Sequence, residues 1–170
     1  MIRRLRKEDA PRAAEIHIFG WRAAYRGIVS DETLFKEMTV AARIPAWEKR
    51  ATEREEGYED WESYVYDDGI IKGILSIGSC RDDDKKGSFE LGGIYVDPLM
   101  KRQGIGKALI RFCENRAKEL GFKEILIWVF EANDPSRKFY EAMGYKTDGK
   151  TKVHERHGGA LEVRYAKSIK

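Results

Sequence analysis

The clearest chemistry in this chain lies in Leu91-Gly-Gly-Ile-Tyr-Val-Asp-Pro-Leu-Met-Lys-Arg-Gln-Gly-Ile-Gly-Lys-Ala-Leu109, where a strand ends, a basic loop follows and a helix opens from Gly104 and Gly106. The first amides of a helix have no partner within it and carry partial positive charge, so such an opening receives a phosphate or pyrophosphate. Glycine suits the position because a side chain would hold the anion away from the amides. Lys101, Arg102 and Lys107 add full charges to the same cradle. A nucleotide-binding Walker loop is excluded, since Lys107 is followed by Ala108 where Ser or Thr is needed. A dinucleotide fingerprint is excluded as well, because Leu109 stands where its third glycine belongs.

Other reactive residue types are sparse. Glu90 sits in the otherwise apolar strand Phe89 to Val96, where partial desolvation would raise its basicity toward that of a general base. His154 and His157 are three apart with no evident third ligand, so they read as loop residues and no metal site is expected. Cys80 and Cys113 form no Cys-x-x-Cys pair and indicate neither a disulfide framework nor zinc; Cys113 falls on an apolar helix face.

The elements that must position these residues follow from periodicity. Ile2 to Arg6 reads as a strand. A helix is expected from Ala10 to Tyr25, with Ala13, Ile16, Phe19 and Ala23 or Ala24 as its apolar face and Gly27 beyond its end. Ser30 to Arg54 reads as helix broken near Pro45, with Leu34, Phe35, Met38, Ile44 and Trp47 inward. Trp61 to Tyr66 and Ile71 to Gly78 alternate around Asp67-Asp-Gly69 as a hairpin, and Arg81 to Gly87 reads as an exposed loop. Phe89 to Val96 is a strand stopped by Asp97-Pro98, and Gly104 to Leu120 an amphipathic helix closed by Gly121. Ile125 to Phe130 is an apolar strand buried on both faces. A short helix runs from Ser136 to Met143 after Asn133-Asp-Pro, and Tyr145 to Thr147 and Ala160 to Tyr165 are the last strands. This order implies a mixed, mostly antiparallel α/β sheet of about seven strands flanked by about four helices.

Length and composition bound the rest. At 170 residues, 42% hydrophobic, the chain is expected to form one domain over residues 1–170 with a single core. Its 32 Lys and Arg nearly balance 29 Asp and Glu, which argues against a basic nucleic-acid coat. No run approaches the roughly 18 apolar residues of a membrane span, so no membrane partner and a cytoplasmic location are expected.

With these motifs assembled, the sequence resembles the GNAT superfamily of acyl-CoA-dependent N-acetyltransferases. Lys101-Arg-Gln103-Gly-Ile105-Gly106 is similar to the family's phosphate loop, with Lys101 where Gln or Arg is usual. Ile94-Tyr95-Val96-Asp-Pro98 resembles the end of its fourth strand, Asn133-Asp-Pro-Ser-Arg-Lys-Phe-Tyr140-Glu-Ala-Met-Gly-Tyr145 its Asn, aromatic-Tyr, Gly-aromatic signature, and Glu162 to Tyr165 its last strand.

The resemblance implies acetyl-CoA as cosubstrate, no metal, and transfer to a primary amine, of a small molecule or a protein, by direct attack in a ternary complex. It further implies that the backbone of Ile94, Tyr95 and Val96 pairs with the pantetheine arm. Gly92-Gly93 would form a bulge that opens a cofactor wedge and leaves the Ile94 amide to hold the oxyanion. Glu90 would be the base and Tyr140 the acid, with Asn133 near the pantetheine amides and Ser136 and Arg137 near the nucleotide. Phe19, Trp21, Tyr25 and Trp47 would border the acceptor, and a carboxylate base there favours a cationic amine. A catalytically silent acyl-CoA-binding regulatory module is the alternative, and a homodimer is compatible with either.

Overall fold

The computed structural model describes residues 1–52, 60–154 and 158–170. Its elements run β1 (Ile2–Arg4), α1 (Ala10–Ala24), α2 (Val40–Thr52), β2 (Glu62–Asp67), β3 (Ile71–Ser79), β4 (Phe89–Val96), α3 (Ile105–Glu119), β5 (Glu124–Phe130), α4 (Asp134–Ala142), β6 (Lys146–His154) and β7 (Ala160–Ser168). Seven strands lie in the order β1-β2-β3-β4-β5-β7-β6, and only the β4–β5 pair is parallel. That pair is joined through α3, the crossover that a parallel neighbour requires.

Alternation along the strands sends side chains to two faces. Leu75, Ile77, Phe89, Leu91, Ile125 and Ile127 pack beneath α3, which contributes Leu109, Ile110 and Cys113. Val65 and Ile74 face the other way, against Ala10, Ala13, Ala14 and Ile16 of α1 and Trp47 of α2. The mixed three-layer architecture thus agrees with the expectation.

Several local readings need correction. Phe19 is 42% exposed and lies beside the Arg22 guanidinium, while His17 and Trp21 are buried, so the inward stripe of α1 passes through residues 13, 17 and 21. The second helical region breaks at Met38–Thr39 rather than at Pro45. Met38 is extended (φ −87°, ψ 97°) and the Thr39 hydroxyl accepts from the Ala42 amide at 3.2 Å, starting α2 afresh. Pro45 lies within α2, and Arg54 lies outside the described residues.

β6 extends to His154, which pairs with Ala160, so His154 is a strand residue and not part of a loop; His157 lies outside the described residues. Only Tyr145 to Thr147 carries a strand signal in the sequence, because an edge strand exposed along nearly its whole length has no apolar alternation to display. The Arg81–Gly87 segment is exposed yet anchored: Asp82 and Asp84 each bond Arg164, itself only 3% exposed, at 2.8 Å. No described helix is long and apolar enough to cross a membrane.

Candidate active site

Two strands part at the centre of the sheet. β4 and β5 pair only from Phe89↔Ile125 to Leu91↔Ile127, although β4 continues to Val96 and β5 to Phe130. The cause is in β4: Ser76 opposes Gly93 and Ile77 opposes Leu91, which leaves Gly92 as an extra, unpaired residue. Such a bulge bends the strand and raises its twist. The Trp61 indole lies against this point, since a Cβ on Gly92 would fall 2.2 Å from the ring, and one on Gly78 2.4 Å. A side chain at either position would have to displace the indole.

The gap is a cleft of about 600 Å³. One wall is the β4 backbone at Ile94, Tyr95 and Val96; the other is formed by Val129 and Phe130 of β5 with Phe139 and Tyr140 of α4. At its end stands the basic loop. Arg102 (φ 67°) and Gly104 (φ 79°) are both left-handed, and a Cβ on Gly104 would meet nothing within 4 Å, so glycine serves the backbone there and not packing. Alternating left-handed residues make a concave row of amides suited to an anion, and α3 continues from it with its amino end toward the cleft. Gly106 has a different reason to be glycine: its Cβ would lie 3.3 Å from the Phe139 ring, so it lets α4 approach α3.

Lys101, Arg102, Gly104, Ile105, Gly106 and Lys107 border this cleft. Asn133 and Ser136 border it too, and the Asn133 side chain accepts from the Ser136 amide at 3.4 Å, capping α4. Tyr140 is buried on the cleft wall, and burial pushes its phenol well above the ordinary tyrosine value, which keeps it protonated.

Three expected residues are placed elsewhere. Arg137 is turned toward β7, donating to the Tyr165 hydroxyl at 3.1 Å and to the Glu131 carbonyl at 3.0 Å, and does not border the cleft. Gln103 is exposed, its amide 3.8 Å from the Met100 sulfur. Glu90 is 2% exposed and gripped by Arg81, which bonds it through its main-chain N–H (3.2 Å), Nε (3.1 Å) and Nη2. The two carboxylate oxygens thus face a guanidinium and not a cavity.

A second, smaller cavity of about 200 Å³ opens on the α1 and α2 side. It meets the first at Trp21, Gly92 and Tyr95, which border both. The Trp21 indole N–H donates to the Tyr95 hydroxyl at 2.9 Å, and Tyr95 approaches so closely because α1 has Gly20 there, whose Cβ would sit 3.2 Å from the tyrosine ring. Of the expected acceptor residues, Trp21 and Trp47 border this cavity, Tyr25 borders the larger cleft, and Phe19 borders neither. His17, Trp61, Arg50 and Arg81 border it unforeseen. His17 and Trp21, four apart, share one helix face, a spacing that would have revealed the histidine. Nothing local marks Arg81, whose position depends on Glu90 across the β3–β4 connection. The buried His17 Nδ1 has no hydrogen-bond partner among the described residues, and burial, aided by Arg43 and Arg50, pulls the ring down to about 3, so it is neutral.

Cys113 is fully buried, and burial pushes the Cys80 thiol up to about 11, so neither is a thiolate at neutral pH. No cluster of three metal-ligating side chains occurs among the described residues.

The site is thus a sheet parted at a bulge, beside the amino end of a helix that follows a left-handed glycine loop, with a second cavity meeting it at the bulge. The profile of the Acetyltransferase (GNAT) family matches residues 32–145, and the chain belongs to that family. It is 28% identical over 141 residues to YuaI, an uncharacterized N-acetyltransferase of Bacillus subtilis, which spans 83% of this chain and 77% of the relative. It is 33% identical to the peptidyl-lysine N-acetyltransferase YiaC of Escherichia coli over 85 residues, 50% of this chain and 47% of that one. In fold it matches the PaiA N-acetyltransferase of Thermoplasma acidophilum, solved with coenzyme A, at a TM-score of 0.76, 21% identity and 96% coverage of each chain.

Proposed function

We propose that this chain is an N-acetyltransferase that moves the acetyl group of acetyl-CoA to a primary amine in a ternary complex. The observation that carries the reading is the parting of β4 from β5 beyond Leu91, which opens onto the left-handed loop at Arg102 and Gly104. Pantetheine pairs with the free edge of β4 at Ile94 to Val96, and the diphosphate sits on the amides from residue 102 to 107, flanked by Lys101 and Lys107. The solved relative bound to coenzyme A supports the fit in kind. The acetyl end then lies near Gly92, where the two cavities meet.

The amine nitrogen attacks the thioester carbonyl, and the Ile94 amide donates to the oxyanion. The C–N bond forms as the carbonyl π pair moves to oxygen, the nitrogen gives up a proton, and collapse of the tetrahedral adduct breaks the C–S bond, the leaving thiolate gaining a proton. Tyr140 donates to the sulfur. Its raised phenol makes complete transfer uphill against a thiol of about 8.5, so its effect is that of a positioned hydrogen bond. Tyr140→Phe is expected to lower kcat about 10-fold to 100-fold with the acetyl-CoA Kd within twofold; undiminished turnover would assign the proton to solvent.

An alkylamine of pKa near ~10.4 is mostly protonated at neutral pH, so its proton must leave before attack. The grip of Arg81 on Glu90 supports a positioning role for this carboxylate: Glu90 holds Arg81 at the acceptor cavity, and water takes the amine proton. Glu90→Gln is then expected to raise the acceptor KM while the rate keeps its wild-type rise with pH as free amine accumulates. A loss of rate confined to low pH, relieved at high pH, would instead make Glu90 the base.

Calorimetry with acetyl-CoA, followed by thiol release across a panel of amines, tests the whole reading. Binding without release from any amine would leave a silent acyl-CoA-binding module, and absence of binding would remove both.

A further inference from the structure

The chain passes from β4 to the left-handed loop through one turn, and that turn is held from the side by α1. Asp97, where the turn begins, is 6% exposed, and its two carboxylate oxygens have separate partners. Oδ1 accepts from the Leu99 amide at 2.8 Å, and Oδ2 accepts from Nη2 of Arg12 on α1. The main chain is fixed as well: the Asp97 amide donates to the Lys72 carbonyl and its carbonyl accepts from the Met100 amide, both at 2.8 Å. Arg12 is itself pinned, since Nε donates to the Ile71 carbonyl at 3.1 Å and Nη1 meets Glu15 at 3.0 Å. Burial opposes the charge of Asp97, yet the Leu99 amide and Arg12 together hold its carboxyl below the ordinary aspartate value, so it is ionised at neutral pH.

The turn over Pro98–Met100 ends at an extended Lys101 (φ −64°, ψ 161°), and left-handed Arg102 and Gly104 follow at once. A rotation at Asp97 would carry those amides with it, and Pro98 allows no compensating rotation about its own φ. Neither Arg12 nor Asp97 borders the cleft. Resting on the cofactor-binding part of the reading above, we propose that Asp97, set by Arg12, is a positioning residue for acetyl-CoA. It touches no part of the ligand; it fixes the exit from β4 so that the amides of residues 102 to 107 are arranged for the diphosphate before it arrives. A loop ordered in advance loses less freedom on binding, and the difference appears as affinity. The same contact ties the cofactor loop to α1, the helix that carries His17 and Trp21 to the smaller cavity.

The test is calorimetry of the full chain with acetyl-CoA. Asp97→Ala is expected to weaken binding about 10-fold to 100-fold. Asp97→Asn keeps an oxygen for the Leu99 amide and loses only the ion pair, so its loss is smaller, and Arg12→Gln should match it. Asp9→Ala is the control, because Asp9 is 8% exposed and also accepts from an arginine (Arg3, at 2.6 and 3.0 Å) and from a backbone amide (Arg6, at 2.8 Å). Those partners lie on β1 and just before α1, so this variant should lose stability in urea and keep its acetyl-CoA affinity within twofold. Hydrogen exchange of the free proteins gives a second readout: residues 101–107 should exchange faster in the Asp97 variants, with β5 and β7 unchanged. Affinity within twofold of wild type in Asp97→Ala, a loss no greater than that of Asp9→Ala, or unchanged exchange over 101–107 overturns the inference while binding itself stands. If Asp97→Ala does not fold, Asp97→Asn and Arg12→Gln decide, and wild-type affinity in both overturns it. Failure of the wild type to bind acetyl-CoA removes the parent reading, and this one with it.

Discussion

Gly104→Val is expected to weaken acetyl-CoA binding by about 100-fold to 10,000-fold, measured by calorimetry on the folded protein. Gly104 has φ 79°, a region in which a β-branched residue is strained. Relief of that strain rotates the peptide units on either side and withdraws their amides from the phosphate site. Each hydrogen bond to a charged group contributes about 1.5–3 kcal/mol, so losing two costs about 3–6 kcal/mol, at about 1.4 kcal/mol for each factor of ten. Gly149→Val is the control. Gly149 has φ 85° in exposed β6 and does not border the cleft, so it carries the strain without the ligand effect. Equal affinities in the two variants would show that the loop amides do not hold the cofactor.

The largest effect on stability is expected from Arg81→Met, about 2–3 kcal/mol by urea unfolding. Glu90 is 2% exposed, and three donors of Arg81 satisfy its carboxylate. Removing the guanidinium leaves a buried charge without its cation, whereas removing both charges leaves a neutral amide in the same volume. The loss is smaller than for a fully buried pair because the Arg81 side chain is 43% exposed and water partly replaces it. Adding Glu90→Gln to Arg81→Met should restore most of the loss. If the double variant unfolds at the same urea concentration as the single one, the pair does not act as a unit.

The contrast between these sites follows the reach of each physical signal. β4 and α3 were legible because their apolar period and their terminators, Asp97-Pro98 and Gly121, lie within the same few residues. Gly92-Gly93 announced an irregularity in β4, and the register places the extra residue at Gly92. The break at Met38–Thr39 was hidden by the stronger local mark of Pro45. The resemblance implied that Arg137 lies near the nucleotide, yet its guanidinium donates to the Tyr165 hydroxyl, 28 residues away on β7.

By itself, then, the chain determined its family, its order of strands and helices, and the glycine-bearing loop that opens α3, because backbone preference and periodicity act over distances of a few residues. Tertiary structure alone decided which charged groups meet. Arg81 against Glu90, Arg164 against Asp82 and Asp84, and the arginine-edged aromatic cavity between α1, α2 and the sheet are contacts between distant segments. Charge acts through space, so which groups pair is set by packing.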